Sequence, residues 1–315
     1  MGDRTVTYSP AFTLVPTYEC FNRCTYCNFR RDIGSSGWLS VEAAAKQLAA
    51  LDSEHVREIL ILSGEVAPNS PQRSQWLERL YELATLALDC GFLPHTNAGP
   101  LTRAEMAYLK QVNASMGLML EQLTPKLLHT VHRHAPSKDP QLRLRQLEQA
   151  GELGIPFTTG LLLGIGEEPE DWAETLTAIA ECHRRWGHIQ EVILQPHSRG
   201  QRQEEALLGF DLSQLPQLVS WARSLLPQDI TIQIPANLVT QHKLLRACLE
   251  AGARDLGGIV PLDHVNPDYP HMDIDQLRTQ LQAWGWELVP RLPIYPQFLD
   301  WLPPVLRRRV PQGYC

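Results

Sequence analysis

Cys20, Cys24 and Cys27 place three thiols within "CFNRCTYC", and no second Cys or His pair follows nearby to complete a four-ligand site. A structural zinc ion takes four ligands, commonly as two pairs. Three thiolates on one loop suit three corners of an iron–sulfur cubane, leaving its fourth iron open to a ligand. Zinc with a distant fourth ligand is the alternative. The other groups able to do chemistry stand at the ends of short apolar runs. They are Ser63, Gly64 and Glu65 after "EILIL", His95, Thr96 and Asn97 in "PHTN", and Glu121 after "GLML". Further along come Gln195 and His197 around Pro196, Asn237 in "PAN", and Asp255, Asp263, His264 and Asn266 in "DLGGIVPLDHVNPD". Glu121 ends an apolar strand where a carboxylate has no packing use.

These groups need a scaffold that gathers strand ends on one face. The runs 12–16, 58–62, 92–97, 114–120, 155–164, 189–196, 229–234 and 255–260 read as strands. Amphipathic patterns over 40–51, 74–90, 102–110, 141–153, 170–186, 213–225, 239–251 and 273–284 read as the helices between them. Ser40 with Glu42, Pro169 with Glu170 and Asp171, and the closing "ELGIP" supply helix starts and a stop. Eight β-then-α units with polar strand ends predict an α/β fold, a closed (β/α)8 TIM-type barrel over residues 1–283. A doubly wound open sheet fits the same pattern less well. The Pro- and aromatic-rich segment 284–315 is expected to wrap the outside of the barrel, with Arg307–Arg309 a solvated patch.

Composition narrows the partners. Lys and Arg number 28 against 35 Asp and Glu, a net charge of -7, which argues against nucleic acid and for small molecules or proteins. No apolar run is long enough to span a bilayer and "MGDRTVTYSP" lacks the order of a signal peptide, so a soluble cytoplasmic protein is expected. Cys90, Cys182, Cys248 and Cys315 are too scattered for a disulfide framework.

"CFNRCTYC", with aromatic Tyr26 before the last cysteine, resembles the C-x3-C-x-Φ-C signature of the radical S-adenosylmethionine (SAM) superfamily. The resemblance implies one [4Fe-4S] cluster on Cys20, Cys24 and Cys27, whose open iron binds the methionyl amine and carboxylate. An electron from the reduced cluster then yields methionine and a 5′-deoxyadenosyl radical. It also implies that Tyr26 packs near the adenine and that Ser63, Gly64 and Glu65 meet the methionyl amine. "GLLLGIGE" resembles G-x-I-x-G-x-x-E, so Gly164 and Glu167 are implied at the adenine. Glu121 would meet the ribose hydroxyls, and Arg143 the methionine carboxylate, with Arg133 and Arg145 as rivals.

"LVPTYECFNRCTYCNFR", "LILSGE", "PHTNAGPL", "SMGLMLEQLTP", "VHRHAPSK", "TTGLLLGIGE" and "EVILQPHS" together resemble the single-module, ring-closing members of the 7,8-didemethyl-8-hydroxy-5-deazariboflavin synthase family. What this implies is an oxidative carbon–nitrogen lyase of deazaflavin biosynthesis. Its substrate would be 5-amino-5-(4-hydroxybenzyl)-6-(D-ribitylimino)-5,6-dihydrouracil, made by a companion hydroxybenzyl-transferring radical SAM subunit, and it would use a low-potential electron donor. His95, Thr96 and Asn97 would then suit the uracil. His132, Arg133 and His134 would serve as acid, base or phenol partners. Gln195, His197 and Asn237 complete the rim, and Asp263 and His264 with their loop would meet the ribityl or uracil end. Other barrel-type radical SAM enzymes, of aminofutalosine or biotin-synthase type, are the runner-up. An iron–sulfur redox sensor that makes no radical is the alternative from another class.

Overall fold

The computed structural model describes residues 4–52, 55–203, 207 and 209–311; Cys315 lies outside them. Eight parallel strands close into a barrel: β1 Thr5–Leu14, β2 Glu58–Leu62, β3 Leu93–Asn97, β4 Ser115–Gly117, β5 Phe157–Leu163, β6 Ile189–Pro196, β7 Thr231–Gln233 and β8 Asp255–Ile259. Pairing of β1 with both β2 and β8 makes the closure. The helices between strands are α1 Val41–Ala49, α2 Arg73–Asp89, α3 Arg103–Leu109, α4 Pro140–Glu152, α5 Pro169–Trp186, α6 Leu215–Leu225, α7 His242–Ala251 and α8 Ile274–Ala283. The predicted (β/α)8 barrel is therefore the observed fold.

Local chemistry sets the helix starts. Ser40 accepts from Ala43 N at 3.1 Å, Thr102 and Glu105 form a capping box, and Pro169 opens α5 behind a second box of Glu168 and Asp171. Gly154, at φ 59°, turns the chain after α4 into β5. The main core lies between the strands and the helical ring, with Trp76, Phe157, Ile59 and Leu80 fully buried.

Two elements differ from the sequence reading. β1 begins at Thr5, not at residue 12, because its lower half pairs with a ninth strand, β9 Glu287–Pro290. "VTYSPAF" carries too many polar residues to read as a run, yet Val6, Tyr8 and Ala11 are buried. β4 is shorter than 114–120: after Gly117 the chain leaves the regular ladder, although Leu118 N still donates to Thr158 O and Glu121 N to Gly160 O. The tail after α8 also does more than lie outside. Following β9, residues 291–295 enter the base of the barrel, where Pro293 O accepts from Gln190 Nε2 at 2.9 Å and from the Ser115 hydroxyl at 2.5 Å. A 3-10 turn, Pro296–Trp301, and a short helix, α9 Pro304–Arg307, then pack against the barrel. Arg307 and Arg309 remain largely exposed, paired with Asp300 and Asp89.

Candidate functional site

The loop from β1 to α1 carries all three clustered thiols. Backbone bonds hold it on the barrel mouth: Gly64 N donates to Thr17 O at 2.8 Å, Phe21 N to Glu65 O at 3.1 Å, and Arg23 N to His134 O at 2.8 Å. A side chain at Gly64 would lie 2.2 Å from the Glu19 carbonyl oxygen, so this glycine lets the loop lie flat on the strand end. Gly99, at φ 78°, leaves the same kind of space for the Glu65 carboxyl group. Beneath the loop, Cys24 and Tyr26 pack on Leu127, Val131 and Ala135, a small apolar cluster apart from the main core.

Cys20, Cys24 and Cys27 line one cavity of about 300 Å3. Burial pushes the Cys20 thiol up to about 11 and the Cys24 thiol up to about 12. They hold their protons at neutral pH unless a bound metal displaces them. Among the described residues, no three His, Cys, Asp or Glu side chains converge as the ligands of a single ion would. Three thiols lining one cavity are the donor type that an iron–sulfur cluster takes.

Glu121 organises the far wall. It is the one non-glycine with positive φ among the described residues, at 65°, an unfavourable backbone that persists only where surroundings impose it. Tyr26 donates its hydroxyl to Glu121 Oε2 at 2.6 Å, His132 Nε2 lies 3.2 Å from the same oxygen, and Lys138 pairs with Oε1. Burial would raise this carboxyl, but Lys138, His132 and Arg143 together hold it well below the usual carboxylate range. Arg143 is buried and donates to Met119 O at 2.5 Å, Ser137 O at 3.0 Å and Glu65 Oε1 at 3.3 Å. Asn22 bridges the loop to this wall, donating to Glu65 Oε2 at 2.8 Å and the Ser137 hydroxyl at 2.7 Å.

A second cavity, of about 190 Å3, continues down the barrel interior and shares Leu62, Asn97, Met119, Ile193 and Gln195 with the first. His95 stands in its wall. Its Nδ1 lies 2.7 Å from the Ser115 hydroxyl, whose single proton goes to Pro293 O. Ser115 can therefore only accept from His95, which fixes the proton on Nδ1 and leaves Nε2 as a lone pair. Burial lowers the His95 pKa and keeps the ring neutral. Gly117 clears the space beside it, for a side chain there would meet His95 Nε2 at 2.8 Å.

The floor is a buried ion network. Arg291 donates to Asp255 at 2.6 and 3.0 Å and to Glu191 at 2.9 Å. Burial would raise Asp255, yet Arg291 holds it below its ordinary value; burial and the neighbouring Asp255 push Glu191 up to about 8. Within the trio Asp255 is the carboxylate that balances Arg291, and Glu191 is biased toward its protonated form.

The structure brings many of the sequence-selected residues together. Tyr26, Ser63, Gly64, Glu65, Asn97, Glu121, Arg143, Gln195 and His197 line the upper cavity; His95, Asn237, Asp263 and His264 line the lower. Others are turned elsewhere. Thr96 donates to Asn113, Arg133 is exposed, as is Arg145, and His132 sits behind Tyr26 at 2.9 Å from its hydroxyl. Gly164 lies against the backbone of Gly209 and Phe210, while Glu167 accepts from Gly164 N, Ile165 N and Trp172 Nε1 within its own turn. Neither lines the cavities. Asp263 caps its own loop through Val265 N and Asn266 N and accepts from Asn237 at 2.9 Å. His264 Nδ1 lies 2.8 Å from the Tyr18 hydroxyl. Asp255, read with that loop, instead begins β8 at the opposite end of the barrel. Lys138, Asn22, Glu191 and Arg291 were missed; the first three stood unremarked inside "HRHAPSK", "CFNRCTYC" and "EVILQPHS", and Arg291 stood in none of the quoted motifs.

Residues 14–179 match the family model described as the radical SAM superfamily. The chain is 83% identical to the 7,8-didemethyl-8-hydroxy-5-deazariboflavin synthase of Thermosynechococcus vestitus, covering 98% of each chain. It is 66% identical to the enzyme of that name from Trichormus variabilis, over 94% of this chain and 87% of the other. Among solved structures, it resembles the FeFe-hydrogenase maturase from Carboxydothermus hydrogenoformans with a TM-score of 0.75 at 18% identity, covering 97% of this chain and 76% of that one. Methylornithine synthase gives a TM-score of 0.71 at 17% identity, with 91% and 84% covered. At such identities these two likenesses speak for the fold alone. Among the described residues no helix is long and apolar enough to cross a membrane.

Proposed function

This chain belongs to the 7,8-didemethyl-8-hydroxy-5-deazariboflavin synthase family of the radical SAM superfamily, and from that premise we infer that it performs the ring closure of deazaflavin synthesis. It is a radical SAM enzyme of deazaflavin biosynthesis, and the family implies a [4Fe-4S] cluster and SAM as cofactors. The substrate in this reading is 5-amino-5-(4-hydroxybenzyl)-6-(D-ribitylimino)-5,6-dihydrouracil. The products are 7,8-didemethyl-8-hydroxy-5-deazariboflavin, ammonia, 5′-deoxyadenosine and methionine. The observation that carries the reading is the joined pair of cavities, an upper one lined by the three thiols with Lys138 and Arg143 and a lower one lined by hydrogen-bonding side chains over a buried ion network.

The residues present fit the cofactors. Cys20, Cys24 and Cys27 would hold one cluster, Ser63, Gly64 and Glu65 the methionyl amine, and Arg143 its carboxylate. Glu121 keeps an unused lone-pair direction on Oε1 beside Lys138, which suits a ribose hydroxyl. When bound, the cluster and SAM supply a 5′-deoxyadenosyl radical, which reaches C–H bonds that acid and base groups cannot. The chain's part is to hold, shield and move protons. Leu62, Met119 and Ile193 wall the junction and exclude water. His95 Nε2 accepts a proton as ammonia leaves and the ring becomes aromatic. Asn97 and Gln195 orient the uracil, while Asn237 and His264 close the rim.

The substrate would come from a companion hydroxybenzyl-transferring radical SAM subunit, and reduction from a low-potential donor. Cytoplasmic location follows from the need for reduced thiols. The test is an anaerobic assay of iron-reconstituted protein with reductant, SAM and the uracil adduct, reading 5′-deoxyadenosine and deazaflavin fluorescence together. Both should appear, and only with the adduct. Deoxyadenosine without fluorescence would make this another radical SAM reaction.

A further inference from the structure

Inward positions of a (β/α)8 barrel are ordinarily filled by bulky branched residues. Below the junction this barrel instead places Thr13, Glu58, His95 and Thr158 against open space. Glu58 and Thr13 are more than nine-tenths buried, and both side chains line this cavity. Glu58 Oε2 accepts from the Ser9 hydroxyl, which leaves Oε1 free to accept. Arg291 uses four of its N–H groups on Asp255, Glu191 and Leu292 O, so one remains. These donors and acceptors front an open cavity, so the floor offers hydrogen bonds to a ligand that enters it.

Charge says which kind. Arg291 is already offset by Asp255, and Glu58 adds an acidic acceptor beside them. A phosphate or carboxylate would meet net negative surroundings. Hydroxyl groups, which donate to Glu58 and accept from Arg291, fit both. At about 190 Å3 the cavity lies below the usual range for a whole ligand, so it takes one arm of a larger one.

We propose that the lower cavity is a neutral-polyol subsite that receives the ribityl arm of the substrate, its terminal hydroxyls between Glu58 and Arg291. This rests on the ring-closing reading above. It leaves the loop after β8 for the uracil end alone, and it hangs the reacting rings at the junction beneath the thiol loop.

The experiment measures binding without turnover, by fluorescence titration of the deazaflavin product and an otherwise identical compound carrying a pentyl chain in place of ribityl. Wild-type protein should bind the ribityl compound at least about tenfold more tightly. Glu58→Gln and Thr13→Val, both close in shape to the originals, should each weaken ribityl binding about fivefold to tenfold per hydrogen bond lost. Pentyl binding should move by less than about twofold, which also reports that the variants are folded. Equal affinity for the two compounds in wild type, or equal losses in the variants, would overturn the proposal. Tighter binding of a ribityl phosphate would do the same. If polyol-dependent binding is found but the adduct yields no deazaflavin, the subsite stands and the ring-closing reading falls.

Discussion

Replacing Arg291 by Met asks whether the tail locks the barrel base. Met keeps most of the stem volume and removes the cation that serves both Asp255 and Glu191. Asp255 has no exposed surface, so its carboxylate would be left buried and unpaired. Removing one partner of a buried pair costs about 3–5 kcal/mol. With an unfolding entropy near 2 cal/mol/K per residue over 315 residues, that corresponds to a fall in Tm of roughly 5–8 °C. The pH dependence gives a second handle. Asp255 has a depressed folded pKa, so its contribution is present above the unfolded value and is lost as pH falls through the folded one. Without Arg291 burial is unopposed and that pKa rises, so the deficit should be larger at about pH 8 than at about pH 5. Glu191 runs the other way: raised to about 8, its contribution is lost as pH climbs through that value, in wild type. The comparison is therefore variant against wild type at each pH, by thermal unfolding of the cluster-free protein followed by circular dichroism. Adding Asp255→Asn should recover part of the loss. A Tm change below about 2 °C, or one equal at both pH values, would refute the reasoning.

Three further outcomes are expected. Ala in place of Cys20, Cys24 or Cys27 should abolish iron retention and activity together, measured by iron content and 5′-deoxyadenosine yield; full activity in one such variant would show that the ligand set is wrong. Glu121→Ala should leave iron content intact and weaken SAM binding about tenfold, because the ribose loses an acceptor and Lys138 and Tyr26 lose their shared anchor; unchanged binding would remove Glu121 from that role. Ser115→Ala should lower kcat about tenfold at unchanged KM, since His95 then divides between tautomers and loses its brace. The acid limb of its pH–rate profile should shift relative to wild type, and an unmoved profile would leave His95 with packing alone.

What could be read in the sequence was local. The cysteine triplet, the helix caps and the strand-end polar groups each lie within a few residues, and the barrel carries them to one mouth. The start of β1 was misread because polar residues interrupt the run while the backbone ladder continues, and the end of β4 because its apolar run outlasts the ladder. Gly164 and Glu167, read as adenine contacts, line neither cavity. A glycine that permits close approach does not say what approaches, and here it is the backbone of Gly209 and Phe210. The Asp255 to Arg291 pairing spans 36 residues and joins a strand start to a tail with no shared motif.

That long-range pairing also explains why a barrel can afford a polar lumen. Stability here comes chiefly from apolar packing between strands and helices, where Trp76, Phe157 and Leu80 are fully buried, so the interior of the strand ring need not supply it. An open base would still admit water to the site where a radical must be shielded. Residues 291–295 close that end with paired charges and backbone carbonyls, and through Pro293 and Ser115 the same segment sets the proton on His95. The closure and the chemistry thus share one set of bonds. A change in the tail, far from the thiols in sequence, should therefore register in proton transfer as well as in Tm.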